Sequence, residues 1–446
     1  MPVTVTLERT LGLRDLTILV FGSVIGSGIF LVPGIILRQV DGSVGLGMLV
    51  WLVGGVLSLL GGLTYGELTA MKPEAGGLYV YIRDCFGRLP AFLYGWTLFL
   101  VIANGAIATL AVAFGTYLGK VVPLGAYGEK IAAVAMIALV TVVNVRGTRG
   151  SADLQNWTTL AKSALLLGIC AVLFARGHHF GEATASLWPA RMDRSMLSSF
   201  GLAMIAVLWA YEGWQFATYS AGEAKNPQRD FPLAFLMGVM FLIGIYLIAN
   251  LGYLAAIGPA EATRSSTIAA TSISTVWSVG AAKLVSLAIL IAVFSAANSI
   301  QLTAPRVFYA MAQDRLFFRS LAEIHPKFHT PAAAITVGGI WAAVLAATGT
   351  FEKLLGYVVF AGWIFYGLAA ASIFLYRRRE PDAVRPYRVP GYPWTPLIFV
   401  LAAIALVANT IVSVPKDAAV GMGIVLMGLP AYLFFLFGNK MEKSTA

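Results

Sequence analysis

GSVIGSGIFLVPG, Gly22 to Gly34, sits inside an apolar segment that runs from about Leu16 to Leu37. Roughly 20 apolar residues cross a bilayer, so the segment is long enough to span. Yet four of its thirteen residues are Gly, one is Pro and two are Ser. An interior glycine costs a helix about 0.5–1 kcal/mol relative to alanine, and a helix built only to span avoids it. Backbone that leaves the helix at membrane depth has to line a cavity or lie buried in protein, where its freed N–H and C=O groups find partners. The stretch is therefore read as two half-helices joined by an unwound Ile25–Ile29. The first half offers carbonyls, and the second offers N–H groups at the positive end of its dipole. That pairing suits a zwitterion, with an ammonium on the carbonyls and a carboxylate on the amides. The competing reading is a glycine-rich face for close helix packing, which is common in membranes.

Composition decides the class. The 446 residues are 59% hydrophobic and 12% charged, whereas soluble domains carry about 25% charged residues. The chain reads as an all-α polytopic membrane protein, with the lipid bilayer as its surroundings. A net charge of +10 would suit nucleic acid, but Lys and Arg fall in short loops between apolar spans, as the positive-inside rule predicts. No nucleic-acid partner is expected. The two cysteines, Cys85 beside a basic loop and Cys170 within a span, give neither a disulfide framework nor a metal site. The first apolar segment is too long for a signal-peptide core and lacks a small-residue cleavage site, so it is expected to stay. No P-loop, GxGxxG, nucleophile elbow or HExxH pattern occurs, which leaves ATP-driven pumping and hydrolytic catalysis without support. No cofactor or metal is expected.

Twelve spans can be drawn, at about 16–37, 46–71, 89–118, 131–145, 160–174, 196–220, 231–257, 283–311, 332–348, 354–376, 396–414 and 418–437. The fourth and fifth are the shortest. An even number leaves both termini on one side. That side carries 20 of the 31 Lys and Arg, against ten on the other and Lys162 within the membrane, so the termini are expected to be cytoplasmic and the membrane the cell membrane. The sixth span is interrupted like the first, with Glu212 and Gly213 in the middle of SSFGLAMIAVLWAYEGWQF (residues 198–216). Interrupted segments at corresponding places in two halves point to a secondary transporter with its site at the repeat interface. They stand five spans apart, and because five is odd the halves have inverted topology. The expected organisation is one domain over 1–446, with repeats at 12–176 and 196–379 and two further spans at 395–437.

Several polar residues then need a reason. Lys162 lies in the fifth span, about a turn from its end, where an ammonium at mid-membrane costs at least about 2.5–3.5 kcal/mol. It is read as a fixed cation beside the unwound first helix, where a sodium-coupled carrier would bind its ion, or else as a lysine that snorkels to water. Glu212 is a carboxylate in the sixth-span break, either at the ligand or hydrogen-bonded to freed backbone. Trp209, Tyr211 and Trp214 flank it; aromatic rings there can close over a ligand and meet its ammonium face-on, with Trp209 the preferred gate, or simply pack. Ser295 and Asn298 in the eighth span either complete a cation site with Lys162 or join helices through weak hydrogen bonds. The loop GEAKNPQRDFP (222–232) reads as a charged cap in which Glu223, Lys225, Arg229 and Asp230 pair with one another. Arg377–Arg379 mark the edge of the tenth span. His178 and His179 are neighbours in an outer loop and do not make a metal site.

GSVIGSGIF, WAYEGWQ, GEAKNPQRDFPLA and VNVRGTRGSADLQNWTTLAK together resemble the amino acid–polyamine–organocation superfamily over essentially the whole chain. The resemblance is strongest to its L-type amino acid transporter branch and that branch's bacterial relatives. It implies twelve helices in a five-plus-five inverted repeat and sodium-independent amino acid transport, often as exchange. It further implies that a substrate carboxylate meets the N–H groups of Gly26, Ser27 and Gly28, and that the amine meets carbonyls of Ile25 and the Leu208–Ala210 stretch. Trp209 falls at the aromatic gate, and Lys162 stands in for sodium between the first, fifth and eighth helices. Eukaryotic members join a glycoprotein through a cysteine after the third span; GKVVPLGAYGEK has none, so no disulfide-linked heavy chain is expected, and a monomer holds a complete site. The function expected is transport of L-amino acids by alternating access, neutral ones first and cationic ones next, as exchanger or proton-coupled symporter. A polyamine or cationic-metabolite antiporter is the alternative.

Overall fold

Apolar backbone with no water beside it has to close its hydrogen bonds within itself, and this chain does so as helices. The computed structural model describes residues 7–185, 187–188, 194–265, 267–278, 280–349 and 351–445. Among these the regular elements are all helical, with one isolated parallel bridge between Leu11 and Ala224. The first apolar block gives α1 (Leu13–Val24) and α2 (Gly28–Gln39), followed by α3 (Val44–Met71) and a short α4 (Leu78–Phe86). Next, α5 (Arg88–Thr97), a π-helical turn at Leu98–Ile102 and α6 (Ala103–Val121) form one span. After α7 (Gly125–Val145), α8 (Thr148–Arg176) and the short α9 (Phe180–Ala185) comes α10 (Arg194–Ala210), which leads into a 3-10 helix at Trp214–Glu223. The chain continues through α11 (Pro227–Arg264), α12 (Ile268–Val276), α13 (Ala281–Thr303) and α14 (Pro305–Gln313). It finishes with α15 (Ala332–Thr348), α16 (Phe351–Arg379), α17 (Trp394–Ser413), α18 (Pro415–Leu426) and α19 (Gly428–Thr445).

Among the described residues nine helices are long and apolar enough to cross a membrane, or ten if α1 and α2, bent by 46°, are one broken span. The other two expected spans coincide with α10 and α15, each of 17 residues. The fourth and fifth, drawn short from hydropathy, are full helices of 21 and 29 residues. Hydropathy misses the first half of α8 because that half is polar; Arg149 and Asp153 are exposed, while Ser151, Gln155, Asn156 and Thr159 are buried against the rest of the protein. Lys162 consequently lies in the middle of α8, not a turn from its end.

α11 is the longest element and packs against α3, α1, α8 and α2, while α13 packs against α6, α8 and α1. Close approach is set by small residues. At Gly66 an added Cβ would lie 3.3 Å from Pro232 Cα, and at Gly62 one would lie 3.2 Å from Phe235 Cβ. These pairs run α3 and α11 in opposite directions, side by side.

Candidate binding site between two broken helices

The first break is Ile25–Ser27. Ile25 leaves the helix at ψ 87°, and the chain resumes at Gly28, so Gly28 and Ile29 already belong to the first turn of α2. The unwound segment is thus shorter than the expected Ile25–Ile29. Its freed carbonyls are taken from two sides. Lys162 Nζ, on a side chain only 1% exposed, donates to Gly22 O at 2.5 Å and to Ile25 O at 2.6 Å. Tyr246 Oη, on α11, donates to Val24 O at 3.2 Å and to Ala210 O at 3.0 Å, and so touches both breaks. By contrast, the N–H groups of Gly26, Ser27 and Gly28 meet no acceptor among the described residues. The buried Ser27 hydroxyl also lacks a partner.

The second break runs from Tyr211 to Gly213. Glu212 N–H turns back to Trp209 O at 3.0 Å, and Gly213 sits at φ +131°, where a side chain would be strained. Gly213 also lies against the first break: Ser23 Oγ donates to its carbonyl at 3.0 Å, and a Cβ here would come within 2.7 Å of Ser23 O. Gly28 is the reciprocal contact, since a Cβ there would come within 2.7 Å of Ala210 Cα. Two glycines therefore let two broken spans meet backbone to backbone.

Between them lies a narrow cavity of about 30 Å³, lined by Ser23, Val24, Gly26, Ser27, Gly28, Ala106, Leu110, Trp209, Glu212, Phe216, Ala296 and Ile300. Of the residues proposed from sequence, Gly26, Ser27, Gly28, Trp209 and Glu212 line it. Ile25, Ile29, Leu208, Ala210, Tyr211 and Gly213 do not line it. Ile25 and Ala210 contribute the carbonyls described above. The Tyr211 ring turns to Trp51 and Tyr246, 6.0 and 5.1 Å away between centroids, and Trp214 packs on Tyr65, Phe235 and Phe399. The half-buried Glu212 carboxylate is held at one oxygen, Oε1, by Gln215 Nε2 and Tyr366 Oη, both at 2.5 Å. Tyr65 Oη in turn donates to Tyr366 O at 2.8 Å. Tyr366 and Tyr246 carry no mark in sequence: each is one aromatic among many in an apolar span.

Ser295 and Asn298 are both fully buried on α13 facing α8, but not against the Lys162 ammonium. Thr158 Oγ1 donates to Ser295 Oγ at 3.0 Å. Asn298 Nδ2 donates to Gln155 Oε1 at 3.1 Å, and its Oδ1 accepts from Asn144 Nδ2 at 2.9 Å. Gln155 and Thr159, themselves bonded at 3.0 Å, continue this polar ladder towards Gly22.

Two buried carboxylates beyond the cavity are ion-paired, Glu223 with Arg306 and Glu67 with Arg377 and Arg385. Glu223 does not pair within its own loop; it is 1% exposed and accepts from Arg306 Nε at 2.7 Å and Nη2 at 2.8 Å. Thr148 Oγ1 donates to the same carboxylate at 2.8 Å. Arg377 does more than mark an edge: its Nε and Nη2 donate to the two oxygens of the buried Glu67 at 2.9 and 2.7 Å.

A sequence profile of the amino acid permease family matches residues 11–436. The serine/threonine exchanger SteT of Bacillus subtilis is 29% identical over 442 residues, covering 98% of each chain. The b(0,+)-type amino acid transporter 1 of Rattus norvegicus is 31% identical over 445 residues, covering 98% of this chain and 89% of that one. The cystine/glutamate transporter of Homo sapiens is 30% identical over 451 residues, covering 98% and 87% respectively.

Proposed function

The chain belongs to the amino acid permease family, and on that premise we propose that it is a sodium-independent exchanger of L-amino acids working by alternating access. The observation that carries this reading is the asymmetry of the first break. Two of its carbonyls already accept from a buried ammonium, while three consecutive N–H groups and the Ser27 hydroxyl have no partner among the described residues. Unpaired buried donors at the start of a helix suit a carboxylate. Lys162 holds the carbonyl oxygens that an alkali ion would need, which removes the usual reason for coupling to sodium. Carbonyl lone pairs left over at the breaks suit an ammonium, and the small cavity favours neutral side chains.

A second reading is specific to Glu212. It is a carboxylate on the cavity wall, so cationic amino acids are the next class. A polyamine is less well served, because no other acid lines that wall among the described residues. The same proposal places the repeats at 12–176 and 196–379, the termini in the cytoplasm and the chain in the cell membrane as a monomer without a disulfide-linked subunit.

The test is counterflow in liposomes preloaded with unlabelled amino acids, without sodium, with and without a pH gradient. Uptake confined to preloaded vesicles supports exchange; uptake into empty vesicles driven by the gradient replaces it with proton symport. Glu212→Ala is expected to hit cationic substrates hardest. Equal loss across all substrates refutes the second reading.

A further inference from the structure

A second cavity lies outside the site, at the rim where α3 ends and α11 begins. It is a partly open cleft of about 380 Å³, and its wall includes Arg229, Gln228, Leu233, Leu236, Leu63 and Tyr387. Gln228 and Arg229 stand in the first turn of α11, both exposed. Neither side chain hydrogen-bonds or ion-pairs among the described residues, and the neighbouring acid, Asp230, is buried without an ion pair to Arg229. Arg229 is the charged residue of the lining, so the cavity mouth is basic.

Behind the charge the wall is apolar. Residues 229, 233 and 236 are spaced by four and three and share one face of α11. Seven residues at 1.5 Å each carry that face about 10 Å into the bilayer. The contacts of Gly66 with Pro232 and of Gly62 with Phe235 set Leu63 of α3 at the depth of Leu233 and Leu236. A cationic mouth over roughly 10 Å of aliphatic wall, opening where the helices leave the membrane, has the polarity profile of one phospholipid: phosphate, glycerol, then acyl chain.

We propose that this cleft binds an anionic phospholipid, its phosphate on Arg229 and Gln228 and one acyl chain along Leu63, Leu233 and Leu236. The lipid joins α11, whose Tyr246 touches both breaks, to the loop carrying Tyr387. That loop is held to α3 by the bond from Val389 N–H to the Glu67 carboxylate, at 2.6 Å.

The test is native mass spectrometry of the full-length protein with phosphatidylglycerol and phosphatidylcholine of identical chains. A basic residue near an anionic headgroup is worth about a fivefold preference, so phosphatidylglycerol should be retained about fivefold more strongly. Arg229→Gln, which breaks no hydrogen bond among the described residues and removes only the charge beside Asp230, should abolish the preference. Leu233→Trp, which fills the cleft and keeps the charge, should reduce retention of phosphatidylglycerol. Arg378→Gln, at the exposed end of α16, should leave both unchanged. Equal retention of the two lipids by the wild type, or an unaltered preference in Arg229→Gln, overturns the proposal. Displacement of the lipid by millimolar glycerol 3-phosphate also overturns it, since the site would then be one for soluble phosphates.

Discussion

Gly28 and Ala210 decide how closely the two broken spans lie. In Gly28→Ala the new methyl would start 2.7 Å from Ala210 Cα and 2.8 Å from its Cβ, where carbons in good contact sit about 3.5–4.0 Å apart. Because the obstacle is backbone, no rotamer change relieves it, and the two spans have to part by roughly 1 Å. Adding a methyl to a filled interior costs about 1–3 kcal/mol. Here it also draws Trp209 and Glu212, which flank Ala210, away from the unpaired N–H groups at Gly26–Gly28. Losing even about 1.4 kcal/mol of substrate binding is a tenfold change, so initial counterflow rates at subsaturating substrate should fall at least about tenfold at equal protein content. Gly26→Ala is the matched control. Its Cβ would lie 3.3 Å from Leu110 Cδ2 and 3.5 Å from Ala296 Cβ, and the free end of Leu110 can move aside. That variant should keep its thermal stability and lose only affinity. Gly28→Ala exchanging at the wild-type rate would mean that the spans do not meet here, and the placement of the site would fail with it.

Two further outcomes are expected. Lys162→Met strands the Gly22 and Ile25 carbonyls, each worth about 1–3 kcal/mol when buried without a donor; exchange should be lost and the melting temperature lowered, and normal exchange would reduce the lysine to packing. Glu223→Gln removes the charge facing Arg306, which is 0% exposed, and breaking such a pair costs about 3–5 kcal/mol. Replacing both partners together, Glu223→Leu with Arg306→Met, should recover most of that stability in a thermal unfolding assay, and a double variant no better than the single would refute the pairing.

How much of this was legible in the sequence depends on the kind of signal. The first break announces itself because glycine and serine are costly inside a spanning helix, and the second because Glu212 and Gly213 interrupt an apolar run. Lys162 is legible as a charge that requires a partner, and the structure supplies one in the carbonyls of Gly22 and Ile25. What stayed hidden was direction. The sequence reading favours Trp209 as the gate, and Trp209 lines the cavity, but it does not show that Tyr211 and Trp214 pack away from it; that depends on the turn at Gly213. Tyr246 and Tyr366 act through hydroxyls placed by helices far along the chain, and the local pattern around each reads as ordinary apolar span. Sequence offers Glu223 the charges of its own loop first, whereas folding brings Arg306 from 83 residues away.

Phe216 and Ile300 line the cavity, and seven and six residues further along the chain stand Glu223 and Arg306, drawn together with Thr148. Two opposite charges sealed from water behave as an electrical plug. Salt in the bath barely screens them, since screening acts chiefly on charges the solvent can reach. Parting them lets water hydrate both charges at once, which offsets much of the lost attraction. The closed and open forms can then lie near one another in energy with few half-open states between. A carrier that must expose its cargo to one side without becoming a channel needs that abruptness, and a buried carboxylate facing a buried guanidinium is a pair that can supply it.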